Sequence, residues 1–139
     1  MNKKGNLSKH LVDKRPWGNF ERFTLNEKTT VKIITVKPKQ RFSLQTHSKR
    51  KEFWKFLDNE AKVTVGNKTF KVKRGESVLV KPRETHRVEA LSKPVSFLEI
   101  SFGNFSESDI KRISDDYGRK WDETVVWWGR GCFGNKTPK

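Results

Sequence analysis

Four polar side chains have the types and the spacing needed to bind a divalent metal ion. Gln45 and His47 lie two residues apart, so in a β-strand both project to the same face. Glu52 comes five residues after His47 and opens an apolar run, where a buried carboxylate needs a partner. His86 lies much later, after a proline turn, and is placed to supply a fourth ligand from a facing strand.

This donor set limits the choice of metal but does not fix it. One amide oxygen, two imidazoles and one carboxylate suit a borderline divalent ion such as zinc, iron, manganese, nickel or cobalt. Each residue alone is as well explained as a surface or structural side chain. Their joint spacing favours the metal site, and His10, in a basic N-terminal stretch, is not expected to take part.

The elements that must position these residues are predicted to be strands. Short runs rich in Val, Ile, Thr and Phe recur at close spacing and predict an all-β sandwich or barrel. Gly66-Asn67 predicts a tight hairpin, and Arg74-Gly75-Glu76 predicts a second turn. The predicted strand regions are 20–25, 29–36, 42–46, 53–57, 62–65, 69–72, 77–80, 87–90 and 95–101.

One short C-terminal helix is predicted over about 106–117. Ser106 followed by Asp109 is typical of a helix N-terminus, and Ile110 and Ile113 form a narrow apolar stripe. The segment 121–133 that follows is predicted to be extended and to fold back on the barrel. Its Trp127-Trp128 pair is equally consistent with an oligomer contact, so a homodimer is among the expectations.

The length of 139 residues predicts a single domain, with 1–14 as a basic flexible arm and 15–139 as the folded part. No apolar stretch is long enough to span a membrane, and the N-terminus leads into no apolar signal region. The single cysteine fits a reducing compartment. A cytoplasmic protein with no membrane partner is therefore expected.

The net charge of +15 favours an anionic partner. Phosphorylated small molecules are the first candidates. Nucleic acid is a secondary interpretation, because the sequence carries no helix-turn-helix, zinc finger or Gly-x-x-Gly clamp.

The spacing Gln-x-His-x4-Glu followed by Pro-x3-His resembles the two cupin motifs. The wider sequence is similar to the cupin-fold mannose-6-phosphate isomerases, the type II phosphomannose isomerase domain that is also fused behind mannose-1-phosphate guanylyltransferases. This resemblance implies a cupin double-stranded β-helix, or jelly-roll barrel. The matching segments are Arg15-Pro16-Trp17-Gly18-x-Phe20, Val31-Lys32 through Val36-x-Pro38, Ser43-Leu44-Gln45-x-His47, Arg50-x-Glu52-x-Trp54, His86-Arg87, and Asp109-Ile110 through Asp115-Asp116-Tyr117-Gly118-Arg119.

The chain departs from the usual pattern of this family at several positions. Lys39 stands where the family usually has Gly, Phe53 where it has His, and Ser101 where it has Gln. By strand alternation Phe53 should point away from the metal, so the site is expected to survive.

The resemblance implies the reversible isomerisation of mannose 6-phosphate and fructose 6-phosphate through a cis-enediolate. A base must move a proton between C2 and C1, a Lewis acid must stabilise charge on O1 and O2, and cations must hold the phosphate. Glu52 is ligand, base or both in turn, and Arg119 is the second expected catalytic residue. Guanidinium groups bind phosphate well, and Trp17 is a candidate wall for the sugar. The expected substrate-binding residues are Arg15, Trp17, Arg50, Arg87 and Arg119.

Two alternatives stay open at this point. One is a metal cupin acting as an isomerase or epimerase on another phosphosugar. The other is a non-catalytic cupin that binds a phosphorylated ligand, or RNA, through its positive charge.

Overall fold

The computed structural model describes residues 5–118, and within them the chain forms eleven β-strands. Each of the nine predicted strand regions overlaps one of the strands β2–β10, which confirms the all-β prediction. The strands are β1 (Leu11–Arg15), β2 (Gly18–Arg22), β3 (Thr29–Val36), β4 (Leu44–Thr46), β5 (Glu52–Phe56), β6 (Ala61–Val65), β7 (Lys68–Val72), β8 (Ser77–Val80), β9 (His86–Ala90), β10 (Val95–Phe102) and β11 (Lys111–Ser114).

The strands pair into two main antiparallel sheets and one hairpin. A four-stranded sheet has the order β3-β10-β5-β8, and a five-stranded sheet has the order β11-β4-β9-β6-β7. The apolar core holds inward-facing side chains of both sheets, such as Phe97 and Val63. The two-residue loop between β6 and β7 begins at Gly66, whose φ of 63° glycine adopts without strain.

Alternation along the strands and the register between them sort the inner face of the four-stranded sheet into rows. Residues paired across neighbouring strands share a face, so each row holds side chains that stand next to one another. The rows change from apolar at one end of the strands to polar at the other. They are the floor row (Ile34, Phe97 and Phe56), the middle row (Lys32, Glu99 and Trp54) and the mouth row (Thr30, Ser101 and Glu52).

The helix predicted over about 106–117 is wrong. Residues 107–108 form a turn and 111–114 form β11, which pairs with β4 at the edge of the five-stranded sheet. Asp109 does not cap a helix: its carboxylate accepts hydrogen bonds from the backbone N–H and hydroxyl of Ser48 and from the backbone N–H of Lys49. Pairing with a distant strand thus outweighs a weak local helix signal.

The β1–β2 hairpin lies against the outer face of the four-stranded sheet. The Phe23 ring, just beyond β2, is 5.8 Å from the ring of Phe53, and Lys55 forms a 3.1 Å ion pair with Glu21. Phe53 therefore points away from the row that contains Glu52, as strand alternation predicts. Residues 11–14, assigned by sequence to a flexible arm, form most of β1.

Two sequence predictions concern residues that the structure does not describe. The extended segment 121–133, with its Trp127-Trp128 pair, and the catalytic candidate Arg119 lie outside the described residues. Within residues 5–118, no helix is long and apolar enough to cross a lipid bilayer.

Candidate metal centre

Three of the four predicted ligands meet at one point inside the barrel. His47 directly follows β4, Glu52 opens β5 and His86 opens β9. One ligand atom from each residue lies within 4.8 Å of the others, and all three side chains are buried. The structure thus brings together residues that are far apart in the sequence.

Both imidazoles turn the same nitrogen toward this point. Nδ1 of His47 is 2.6 Å from the carbonyl oxygen of Asp109, and Nδ1 of His86 is 3.0 Å from that of Glu84. A carbonyl oxygen can only accept, so each Nδ1 carries the proton and donates it. Each Nε2 is then unprotonated and lies near a Glu52 carboxylate oxygen, at 3.4 Å for His47 and 3.9 Å for His86. Metal-binding histidines are commonly oriented in this way.

The environment of His86 shows that these residues fit a metal ion. Its Nε2 is buried and has no hydrogen-bond partner among the described residues. A buried, unpaired polar atom is costly, and a bound cation would satisfy the lone pair. Two imidazole nitrogens and a carboxylate are ligands that zinc, manganese and iron accept.

Burial keeps both histidines in the neutral, ligating form. It lowers the pKa of His47 to about 4, although the neighbouring Glu52 carboxylate opposes this shift. Burial also lowers the pKa of His86. The neutral state agrees with the hydrogen-bond geometry, because His47 Nε2 accepts a 3.1 Å hydrogen bond from the Arg50 guanidinium.

Glu52 is held as a carboxylate. Burial alone would raise its pKa, but the charge and the hydrogen bond of the Arg50 guanidinium act against burial, and the pKa is lowered. Arg50 Nε donates to one carboxylate oxygen at 2.9 Å, and Trp54 Nε1 donates to the other at 3.1 Å. The buried negative charge is therefore both paired and hydrogen-bonded.

Gln45, the fourth predicted ligand, lies beside the cluster. It pairs with His86 across β4 and β9, so the two side chains share a face of the sheet. Its amide oxygen accepts a 2.8 Å hydrogen bond from the Ser43 hydroxyl. Ligation by Gln45 stays a prediction.

Sequence reasoning missed two charged residues of the middle row, Glu99 and Lys32. Glu99 is buried, and burial together with the Glu52 charge raises the pKa of Glu99 to about 8. Lys32 on β3 lies directly opposite Glu99 on β10 in the strand register, so both side chains are on the same face of the sheet. A signal was available: Glu99 follows Val95 and Phe97 in the same phase, the pattern that singled out Glu52.

The segment 103–110, here called the cover, closes the centre. Arg50 donates to the Ser106 carbonyl at 3.0 Å, and its guanidinium carbon lies 4.3 Å from the Phe105 ring centroid. Lys32 Nζ lies 4.3 Å from the same centroid and 3.1 Å from the Glu107 carboxylate. Two cationic side chains of the barrel, Arg50 and Lys32, therefore contact the cover and help to hold it over the centre.

Of the predicted substrate-binding residues within 5–118, the structure brings only Arg50 to the centre. Arg15 is exposed and pairs with Asp13, and Trp17, at the hairpin tip, is 72% exposed. Arg87 donates to the carbonyl oxygens of Phe42 and Ser114 and follows the inward-facing His86, so it points out of the barrel. Arg119 lies outside the described residues.

Solved structures share this architecture. The oxalate decarboxylase of Bacillus subtilis, described with Mn(II) centres, has a TM-score of 0.56 at 22% identity over 66% of this chain and 25% of that chain. A conserved Klebsiella pneumoniae protein with a double-stranded β-helix domain has a TM-score of 0.51 at 21% identity over 56% of this chain and 69% of that chain. At these identities the likeness shows the fold, a cupin double-stranded β-helix.

The sequence itself matches proteins of nucleotide-sugar and polysaccharide biosynthesis. The alginate biosynthesis protein AlgA of Pseudomonas aeruginosa is 37% identical over 112 residues, covering 79% of this chain and 23% of that protein. The xanthan biosynthesis protein XanB of Xanthomonas campestris is 36% identical over 76% of this chain and 23% of its own length. A Klebsiella pneumoniae mannose-1-phosphate guanylyltransferase is 35% identical over 86% of this chain and 26% of its own length.

The chain thus spans about a quarter of the length of these curated relatives. The family model described as "Mannose-6-phosphate isomerase C-terminal" matches residues 2–115, which include all the residues of the centre. The chain belongs to the mannose-6-phosphate isomerase C-terminal family.

Proposed function

We propose that this protein is a metal-dependent sugar-phosphate isomerase that interconverts mannose 6-phosphate and fructose 6-phosphate. The observation that carries this proposal is the convergence of His47 Nε2, His86 Nε2 and the Glu52 carboxylate within 4.8 Å. Membership of the mannose-6-phosphate isomerase C-terminal family supports the choice of substrate.

His47, His86 and Glu52 would hold the metal, with Gln45 as the proposed fourth ligand. A divalent metal bound there would supply a Lewis acid for negative charge on the substrate oxygens O1 and O2. Arg50 keeps Glu52 ionised, and the hydrogen bonds from Nδ1 keep both imidazoles aimed at the centre.

Proton transfer between C2 and C1 needs a group that is free of the metal. Glu99 is the second carboxyl group on this wall of the barrel, and it is buried in contact with Glu52. Glu52 therefore serves as the ligand, and Glu99 in its ionised form takes the proton from C2 and, as the acid so formed, returns it to C1. A cation held by Glu52 would offset the Glu52 charge that contributes to the raised pKa of Glu99 and would favour this ionised form. The cover excludes water from both groups while the reaction proceeds.

Metal analysis combined with a coupled assay on mannose 6-phosphate tests this function. The purified protein should contain close to one divalent metal per chain, and a chelator should abolish turnover. His47→Ala should lose both metal and activity, because it removes a ligand. His10→Ala is the matched control, since His10 pairs with Glu21 at the hairpin and should leave both unchanged.

Normal turnover by His47→Ala, or by the chelated protein, would contradict the proposal. Substrate profiling decides the remaining alternative within the same class. If other phosphosugars react faster than mannose 6-phosphate, the protein is an isomerase or epimerase of that sugar.

A further inference from the structure

The substrate of the proposed reaction places two demands at opposite ends of one molecule. Its reacting carbons are C1 and C2, whereas the phosphate is on C6. A cation that binds the phosphate must therefore lie away from the carboxylate and the imidazoles of the centre.

Arg50 is poorly suited to that task. Its Nε donates to Glu52, its Nη2 to His47 and its Nη1 to the Ser106 carbonyl. Moving this guanidinium to a phosphate would leave Glu52 buried without its counter-charge, which is strongly unfavourable. Arg50 belongs to the reacting end of the site.

Lys32 lies on the same wall at a suitable separation. The register runs from Glu52 on β5 to Ser101 on β10 and then to Thr30 on β3. Lys32 lies two residues beyond Thr30 on the same face. Two strand spacings of about 4.8 Å put it on the order of 10 Å from the carboxylate strand.

The present partner of Lys32 can be displaced. Lys32 Nζ lies 3.1 Å from the Glu107 carboxylate, and the two side chains are 33% and 55% exposed. Ion pairs at this exposure contribute little to stability. A phosphate dianion carries more charge than the carboxylate and accepts more hydrogen bonds, so it should replace Glu107.

The Ser101 hydroxyl is a further polar group on the same face of the sheet as Glu52 and Lys32. The Ser101 hydroxyl is buried, pairs in register with Glu52 and Thr30, and has no hydrogen-bond partner among the described residues. A ligand hydroxyl or phosphate oxygen lying along the wall would satisfy it.

We propose that Lys32 is the residue that binds the substrate phosphate, exchanging its ion pair with Glu107 for the phosphate group. The choice of a sugar phosphate rests on the proposed function. The exchange also removes one of the contacts that hold the cover, the ion pair between Lys32 and Glu107.

Three variants test the proposal through KM and kcat. Lys32→Met should raise KM for fructose 6-phosphate about tenfold to a hundredfold, because one charged contact is lost, whereas kcat should fall by a smaller factor because Lys32 is only a neighbour of Glu99. Glu107→Gln should lower KM by about twofold to fivefold, because it removes the competing carboxylate. Lys51→Met is the matched control: its Nζ also lies over an aromatic ring, 4.7 Å from Phe102, but on the outer side of the wall.

The opposite signs separate phosphate binding from a structural role. If Lys32 only fastened the cover, Lys32→Met and Glu107→Gln would change KM in the same direction, and the proposal would fall. It would also fall if Lys32→Met matched Lys51→Met. Lys32→Arg, which keeps the charge, should retain most of the affinity, and circular dichroism verifies folding of each variant.

A final measurement separates this proposal from the isomerase proposal. If the wild-type protein turns over no sugar phosphate, calorimetric titration with inorganic phosphate compares the same variants. Loss of phosphate binding in Lys32→Met alone would support the Lys32 site while the isomerase proposal fails. Equal binding by all variants would overturn the Lys32 site.

Discussion

The floor row and the mouth row occupy opposite ends of the same three strands. The floor row is Ile34, Phe97 and Phe56, whereas the mouth row is Thr30, Ser101 and Glu52. Both rows arise from the same alternation and the same register. The difference shows that the strands separate two environments along their length, with apolar packing at one end and buried polar groups at the other.

The polar end has an energetic cost that packing alone would not require. Glu52 and Glu99 are two carboxyl groups buried side by side, and burial raises the pKa of Glu99 to about 8. Apolar residues of similar volume often stabilise such a site more than a buried ion pair does. The two buried carboxyl groups are therefore not explained by stability alone.

Loss of a ring from the floor should give the largest effect on stability. Phe97 is fully buried, with its ring 5.0 Å from Phe56 and 5.2 Å from Trp54. Phe97→Ala should lower the free energy of unfolding by about 3–5 kcal/mol. Folded protein should keep its metal content, measured by metal analysis beside urea unfolding. A selective loss of metal without loss of stability would break the division between floor and mouth.

Glu99→Gln should lower activity while leaving stability unchanged, the reverse of the effect expected for Phe97→Ala. The amide matches the shape of the carboxyl group but cannot exchange its proton in the same way. We expect kcat to fall by about a hundredfold, with metal content retained. Stability at pH 8 should be no lower than that of the wild type, because an unfavourable buried acid is removed. An unchanged kcat would assign Glu99 to structure.

The two buried histidines should make the metal-free protein sensitive to acid. The pKa of His47 is lowered to about 4, and that of His86 is also lowered, from an ordinary value of 6.5. Below pH 6.5 the unfolded chain binds more protons than the folded one, so the free energy of unfolding falls as the pH falls. His47 alone should contribute about 2 kcal/mol between pH 7 and pH 5.

Urea unfolding of chelated protein at these two pH values measures that slope. Glu99 acts with the opposite sign, because its raised pKa favours the folded state at low pH and disfavours it as the pH rises toward 8. The measurement is therefore made in the Glu99→Gln background. His47→Gln should flatten the profile, whereas His10→Gln should not. A profile that stays flat with both histidines present would contradict the buried neutral state.

Part of the candidate metal centre could be predicted from sequence because strand alternation is a local property. The two-residue spacing of Gln45 and His47 places both on one face, and Glu52 shares the phase of Trp54 and Phe56 on its own strand, without knowledge of the partner strands. The same rule places the Arg87 side chain on the opposite face from His86, since the two residues are consecutive on β9.

The features that the sequence did not predict depend on pairing between segments that are distant along the chain. Lys32 and Glu99 lie 67 residues apart (99 − 32) and meet only because β3 and β10 pair in one particular register. The segment 106–117 failed as a helix for the same reason, because β4 is the partner of β11. Arginine as a residue type indicates an affinity for phosphate but not the face on which the guanidinium lies.

The smallest expected effect on stability concerns two turns in which a residue other than glycine adopts a left-handed backbone conformation. Lys37-Pro38-Lys39-Gln40 is a turn closed by a 3.0 Å hydrogen bond, with proline at its second position and Lys39 at φ 63° at its third. Lys81-Pro82-Arg83-Glu84 repeats this arrangement on the metal side, with Arg83 at φ 70°. A turn of this kind favours glycine at the third position.

Lys39→Gly and Arg83→Gly should each raise the free energy of unfolding by about 0.5–1 kcal/mol, since relief of the left-handed conformation outweighs the greater freedom of glycine in the unfolded chain. Both side chains are exposed, so little packing is lost. Thermal unfolding should show a rise of a few degrees for each variant.

Lys39→Gly should leave KM and kcat unchanged because its turn lies at the floor end. Arg83→Gly keeps the backbone N–H that donates to the His47 carbonyl at 2.7 Å, so it should also retain activity. A loss of turnover in Arg83→Gly alone would mean that strain at the mouth, unlike strain at the floor, helps to position the metal ligand.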